Sequence, residues 1–359
     1  MPILDERQNT NAFARTQQCK QKQGGDQAMG SRGALIFAAG GLLGLLTAAA
    51  GYLALRFQRG RHLADRVWAA TDCPKLADIG AVKHLSILPL IDWYAATSEL
   101  LTEPGVSYLV RAGDTTLLFD VGFNAHAEHP SPLLRNMATL GLAVADLDAI
   151  FISHMHEDHV GGIPCQLRHT FALSAGPVDL RGIPAWVPQP MTQPGAEMRV
   201  VTGPQVVAPG VATTGVIPRQ MFFLGWTQEQ SIVVNVEGKG LVIIVGCGHP
   251  TLERILERVE RCFDAPIYGV VGGLHYPVTA SREMLAGIPL QRILGTGKWP
   301  WDPINRADVR DNIALLQSRH PFLVGLSPHD SCDWSITAFR KAFGPVYRDV
   351  WVGQEIVVQ

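Results

Sequence analysis

Three histidines and an aspartate crowd one short stretch, the run FISHMHEDHVGG from Phe151 to Gly162. His154, His156, Asp158 and His159 fall within six residues, directly after an apolar segment. A strand end followed by a turn fans successive side chains around one point. Imidazole nitrogens suit zinc and its neighbours, and a carboxylate suits a harder or partly hydrated position. Gly161 and Gly162 let the backbone turn closely beside the cluster.

Four further places carry candidate groups. His249 and Cys247 lie in GCGHP (246–250), just past the apolar run 241–245. His275 ends GGLH (272–275), and His329 lies in SPHDSC (327–332). Asp120 closes LLFDVG (117–122). Cys247 reads equally as a thiolate ligand or a buried structural thiol. The six cysteines include no CxxC pair, which reads as free thiols in a reducing compartment. No GxSxG run suggests a serine nucleophile.

His154-x-His156-x-Asp158-His159 resembles the HxHxDH signature of the metallo-β-lactamase superfamily. Residues 117–122 resemble that family's "LFDTG" turn. GCGHP and GGLH resemble elements of its dihydropterin-ribofuranosylaminobenzene-phosphate synthase-like subgroup. The likeness spans roughly residues 80–359. It implies an α/β fold, a four-layer αβ/βα sandwich with metals at one edge. It also implies two divalent ions that make water reactive. His154, His156 and His249 would hold the first, Asp158 and His159 the second. Asp158 would also orient the nucleophile, as the catalytic carboxylate. His329 is the favoured closing ligand, with His275 as ligand or substrate contact. Asp120 would orient a ligating imidazole from behind, or serve only the turn. A nitrogen-rich set favours zinc, and the carboxylate leaves manganese or iron open. The sequence departs from the subgroup at Glu157, where a Tyr is usual, and at Cys332, three residues after His329.

The elements that must position these groups are legible in part. Residues 106–110 and 115–119 predict adjacent strands about a turn at 112–114, and 133–142 a helix. Strands are predicted at 149–152, 231–236, 241–245, 267–271, 322–326 and 350–358. Helices are predicted at 251–263, where Leu252, Ile255, Leu256 and Val259 recur at helical spacing, and at 308–317. The Pro- and Gly-rich stretch 163–227 reads as loop.

The N-terminus reads differently. Residues 1–33 are polar and are expected to be disordered. Residues 34–55 hold 22 residues without a charge, long enough for a transmembrane anchor. Residues 56–79 read as a linker, and 80–359 as the catalytic domain. Arginines and lysines flank the apolar run on both sides, and a start at Met29 would tip the domain towards the cytoplasm. Gly40 and Gly44 form a GxxxG pair, a weak sign of helix pairing. The oligomeric state is left open.

At 359 residues, 47% hydrophobic, the chain can bury a large core. A net charge of −2 argues against nucleic acid as partner, and with it a nuclease of the same fold. The leading expectation is hydrolysis of an ester, lactone or phosphoester bond in a small, pterin-like or phosphorylated molecule. Trp186, Trp226, Trp299 and Trp301 are candidates to stack on a ring. A membrane-tethered sensor that keeps metals without turnover is the alternative from another class.

Overall fold

The computed structural model describes residues 10–76, 78–279, 284–285 and 288–359; side chains are described for Ile36 and from Gly41 on, except 77 and 280–290. The chain divides into two units, residues 1–56 and 57–359. A helix, α1 (Thr10–Ala70), runs through the boundary. The first nine residues of the stretch expected to be disordered lie outside the described residues. From Thr10 that stretch is helical, and its Ala, Gln, Lys and Arg are good helix formers. Among the described residues, the span Gly41–Ala70 is long and apolar enough to cross a membrane by length and composition. Leu42, Leu43, Leu45 and Leu46 are all exposed.

The second unit begins with the last turns of α1. Residues 57–70, expected as part of a linker, are helical because they have a surface to bind. Phe57 is fully buried, its ring 5.3 Å from Phe222 and 4.7 Å from Trp299. Trp68 lies under the guanidinium of Arg258, 4.9 Å away.

Beyond α1 the chain builds two sheets. The first contains β1 (Leu85–Ile91), β2 (Ser107–Ala112), β3 (Thr115–Phe119), β4 (Ala149–Phe151), β5 (Pro184–Val187) and β6 (Glu197–Val200). The second contains β7 (Gln205–Ala208), β8 (Val211–Thr213), β11 (Ile232–Val236), β12 (Gly240–Val245), β13 (Ile267–Gly272) and β16 (Leu323–Leu326). Between β8 and β11 a separate hairpin forms from β9 (Ile217–Met221) and β10 (Gly225–Glu229). A short pair, β14 (Met284–Leu285) and β15 (Ile288–Pro289), stands apart and leads into the short helix α6 (Leu290–Leu294). The last strand, β17 (Ile356–Val358), joins the first sheet beside β1.

The middle stretch, expected as loop, therefore holds most of six short strands, β5 to β10, and a short helix, α4 (Ile163–Leu167). Strands of three to five residues are too short to show a readable alternation; β6 is largely exposed. The last predicted strand shrinks from 350–358 to β17.

The core lies between the sheets, where Tyr108, Phe119, Phe151, Val234, Val242 and Ile244 interdigitate. Each such buried aliphatic or aromatic side chain contributes about 1.5–3 kcal/mol. A second apolar layer packs β12 and β13 against α5 (Leu252–Cys262), α7 (Arg306–Gln317) and α8 (Asp333–Phe343). A third lies on the other face of the first sheet, under α2 (Pro132–Thr139). The arrangement is a mixed α/β sandwich. β12 is buried at every residue, as a strand covered on both faces must be.

Each sheet contains one run of parallel neighbours. In the first sheet β3, β4, β5 and β6 run parallel. In the second β12, β13 and β16 do. Parallel strands end on the same side, so the loops leaving them are brought together even when they are distant in sequence.

Candidate metal centre

Each group singled out in the sequence comes after the end of one of these strands. Asp120 follows β3; His154, His156, Asp158 and His159 follow β4. Cys247 and His249 follow β12, His275 follows β13, and His329 follows β16. His156 caps the four-residue α3 (Glu157–Val160), which carries Asp158 and His159. Gly161 ends it at φ +88, and a Cβ there would sit 2.2 Å from the carbonyl oxygen of Ala172. Glycine is thus required to turn the chain directly after the last ligand candidate.

The donor atoms gather in two groups. Nε2 of His154 and Nε2 of His249 each lie 3.1 Å from Nδ1 of His156. In the second group Cys247 Sγ lies 3.1 Å from Nε2 of His159 and 3.2 Å from Nε2 of His329. Asp158 Oδ2 is 3.6 Å from Nε2 of His159. His275 falls in a third grouping with Cys247 and His249; within each group the donor atoms lie within 4.8 Å of one another.

The tail of each ring is held. Nδ1 of His159 bonds Asp120 Oδ2 at 2.7 Å. Nδ1 of His154 bonds Ser153 Oγ at 2.9 Å, and that hydroxyl donates to Asp120 Oδ2 at 2.6 Å. The same relay recurs at the second sheet: Nδ1 of His329 bonds Ser327 Oγ, which donates to Asp92 Oδ2, both at 2.6 Å. Nδ1 of His249 donates to the carbonyl of Gly295 at 3.0 Å. These bonds fix the ring orientations and aim the Nε2 atoms inward. His156 presents Nδ1 instead, with Thr227 Oγ1 3.4 Å from its Nε2.

Electrostatics follow from burial. Burial first, and neighbouring imidazoles second, hold His154 and His249 well below the ordinary histidine range and His156 down at about 3. All three are therefore neutral, the ligating form, at neutral pH. Burial disfavours the charged form of His159 as well, but Asp158 and Asp120 outweigh it and hold that imidazole up at about 9. Burial, then the nearby carboxylates, pushes the Cys247 thiol well up.

The donor set fits divalent ions. Ligand bonds of about 2.0–2.3 Å in a tetrahedron place donor atoms about 3.4 Å apart, close to the spacings here. The second group places negative charge around a buried imidazole that is otherwise forced to carry the positive one.

Four contributors escape the sequence reading. Asp92, Ser153 and Ser327 build the two serine relays. Glu229, at the end of β10, accepts from the backbone N–H of Cys247, Gly248 and His249 at 3.0, 2.8 and 2.8 Å. It shapes the loop that bears two donors. Burial raises its carboxyl to about 7. Of the tryptophans considered for stacking, Trp186 is buried between the sheets, whereas Trp226 and Trp301 are exposed.

A cleft opens over the groups, lined by His156, Asp158, Leu224, Cys247, His249 and His275. Residues 101–188, which include Asp120 and the whole 154–159 cluster, match the family model described as the metallo-beta-lactamase superfamily. The chain is similar to the 7,8-dihydropterin-6-methyl-4-(beta-D-ribofuranosyl)-aminobenzene-5'-phosphate synthase of Methanocaldococcus jannaschii, at 22% identity over 260 residues, covering 62% of this chain and 88% of that protein. A shorter stretch of 55 residues is 46% identical to the Anti-Pycsar protein Apyc1 of a Paenibacillus species, covering 15% of this chain and 19% of that one. Among solved structures, one described as a metal-dependent hydrolase of the beta-lactamase superfamily aligns with a TM-score of 0.53 at 19% identity, covering 77% of this chain and 99% of its own. That likeness is one of fold.

Proposed function

We propose that this metallo-β-lactamase domain is a metal-dependent hydrolase acting on an ester, lactone or phosphoester bond of a small molecule. The observation that carries the reading is the pair of donor groups on either side of Cys247, facing one cleft. His154, His156 and His249 would hold one ion; Asp158, His159, His329 and Cys247 would hold the other. The nitrogen-rich set favours zinc, and Asp158 keeps manganese and iron in play. Bound divalent ions would supply Lewis-acid chemistry and make water acidic near neutral pH.

The chain's own residues do the rest. Asp158 has its side chain at the cleft, where its carboxylate can orient the attacking water and accept its proton. His275 is neutral, because burial lowers its imidazole to about 4. Its Nε2 donates to the carbonyl of Gln291 at 3.1 Å, which leaves Nδ1 as an acceptor with no hydrogen-bond partner among the described residues. That lone pair suits a substrate hydroxyl or amide donor. Leu224 and Leu294 form the apolar part of the wall. Beside His249 and His275 lies a cavity of about 270 Å³ lined by Glu253, the Lys298–Asp308 ion pair and Arg219, and Arg219 is the group there that supports an anionic or phosphorylated substrate. The likeness to the pterin-ribofuranosyl phosphate synthase supports the same class.

The apolar run 34–55 supports a single-pass membrane anchor for the domain. The test is hydrolysis of aryl phosphoesters and aryl lactones by the full chain, metal-loaded and after chelation. We expect turnover of at least one class, lost on chelation and restored by zinc. The His156→Ala, Asp158→Ala double variant should lose it; full activity in that variant contradicts the mechanism. A chain that binds metal but turns over neither class would support the sensor reading.

A further inference from the structure

The metal cleft and the 270 Å³ cavity beside it share a wall, made by His249, His275 and Gly295. Three elements bring polar groups to the cavity: β9 with Arg219, the first turn of α5, and the loop after β13 with His275 and Tyr276.

Each of these has bonding capacity to spare. The first N–H groups of a helix lack partners within it. Thr251 Oγ1 takes that of Arg254 at 3.5 Å, which leaves those of Leu252 and Glu253 for a ligand. The start of an 11-residue helix favours negative charge. Tyr276 is 3% exposed, and its hydroxyl has no hydrogen-bond partner among the described residues. Arg219 makes no ion pair among them. Its Nη2 donates to the carbonyl of Gly297 at 3.4 Å, and its Nε has no acceptor. Buried donors are ordinarily paired, so unpaired ones gathered on one cavity point to a ligand. Thr251 at φ +89 and His275 at φ +54 both line the cavity, and backbone held in such conformations clusters at ligand sites.

The charge balance favours an anion. Burial first, then Arg254 and Arg61 against Asp65, lowers the Arg219 guanidinium to about 10. It stays charged at neutral pH, in surroundings short of negative charge. Of the carboxylates on the cavity, Asp308 is paired with Lys298 at 2.7 Å, and Glu253 is exposed to screening water.

We infer that this cavity is a subsite for a phosphate monoester group of the substrate, which is held there and not cleaved while another bond reacts in the metal cleft. The inference deepens the hydrolase reading and rests on it for the reaction in the cleft. A phosphate monoester offers three terminal oxygens, one each for Arg219, the α5 amides and the Tyr276 hydroxyl, whereas a carboxylate offers two. On the shared wall, the acceptor Nδ1 of His275 suits a hydroxyl on the skeleton that links the phosphate to the reacting bond. The substrate class is a phosphorylated, hydroxyl-bearing small molecule.

The test is calorimetric titration of the full chain with inorganic phosphate, before and after chelation, with acetate as the comparison anion. We expect the chelated chain to bind one phosphate, about tenfold or more tighter than acetate. Arg219→Gln should weaken that binding about tenfold or more, and Tyr276→Phe about threefold or more. Near-ultraviolet dichroism checks that each variant is folded. Tyr276→Phe removes a single oxygen, so it decides the matter even if Arg219→Gln does not fold. Phosphate bound only before chelation sits on the metals and overturns the inference. Binding to the chelated chain that neither substitution weakens is an adventitious ion only, and overturns it as well. Acetate bound as tightly as phosphate overturns the choice of phosphate. Phosphate binding with both losses, in a chain that hydrolyses neither aryl phosphoesters nor aryl lactones, supports the phosphate site and counts against the hydrolase reading alone.

Discussion

The two sheets reach the metal centre by different routes. The first sheet delivers four candidate ligands from one loop of six residues after β4, and a single carboxylate, Asp120, steadies two of them. The second sheet delivers its ligands one or two at a time from three loops, after β12, β13 and β16. Each loop needs its own fixture: Glu229 for Cys247 and His249, Asp92 through Ser327 for His329, and the carbonyl of Gln291 for His275. A contiguous motif concentrates its support, whereas a dispersed set must be supported piece by piece.

That contrast can be broken most forcefully at Glu229. Glu229→Ala leaves three buried N–H groups without their acceptor, each costing about 1–3 kcal/mol. Urea unfolding of the metal-free chain should show a loss of roughly 3–9 kcal/mol, with Glu229→Gln milder because its amide oxygen still accepts. A loss below about 1 kcal/mol would mean that the dispersed loop holds itself.

The relays come next. Asp120→Ala removes the support of two imidazoles, His154 and His159, and Asp92→Ala that of one, His329. Chelator competition should show metal binding about 100-fold weaker for Asp120→Ala and about 10-fold weaker for Asp92→Ala, the range seen when a ligand's supporting partner is lost. Equal effects would erase the difference between concentrated and dispersed support.

The smallest effect is expected from the intermediate hydroxyls. Ser153→Ala and Ser327→Ala should each weaken metal binding less than about tenfold, since the backbone and the remaining bonds still orient the rings.

The same contrast explains what could be read in advance. The concentrated loop is legible because its ligands are neighbours in sequence and its glycines sit where the chain must turn. Cys247 and His249 are legible because they follow an unmistakable buried strand. Whether His329 or His275 stands nearer the second group was open in the sequence. The structure groups His329 with Asp158, His159 and Cys247, and His275 with Cys247 and His249. Asp92 and Glu229 were invisible, because each acts on partners far along the chain and sits in no motif of its own; Ser327, two residues from His329, was unread because its role depends on the distant Asp92. The strands β5 to β10 were invisible for another reason. They are only three to five residues long, too short to show an alternation of their own, and take their form from the strands they pair with.

Metal content of the purified full chain tests the central claim most directly. Two divalent ions per chain are expected. The His154→Ala, His249→Ala variant should lose one and keep the other; the His159→Ala, His329→Ala variant should lose the other. Full metal content in both variants, or none in the natural chain, would contradict the account.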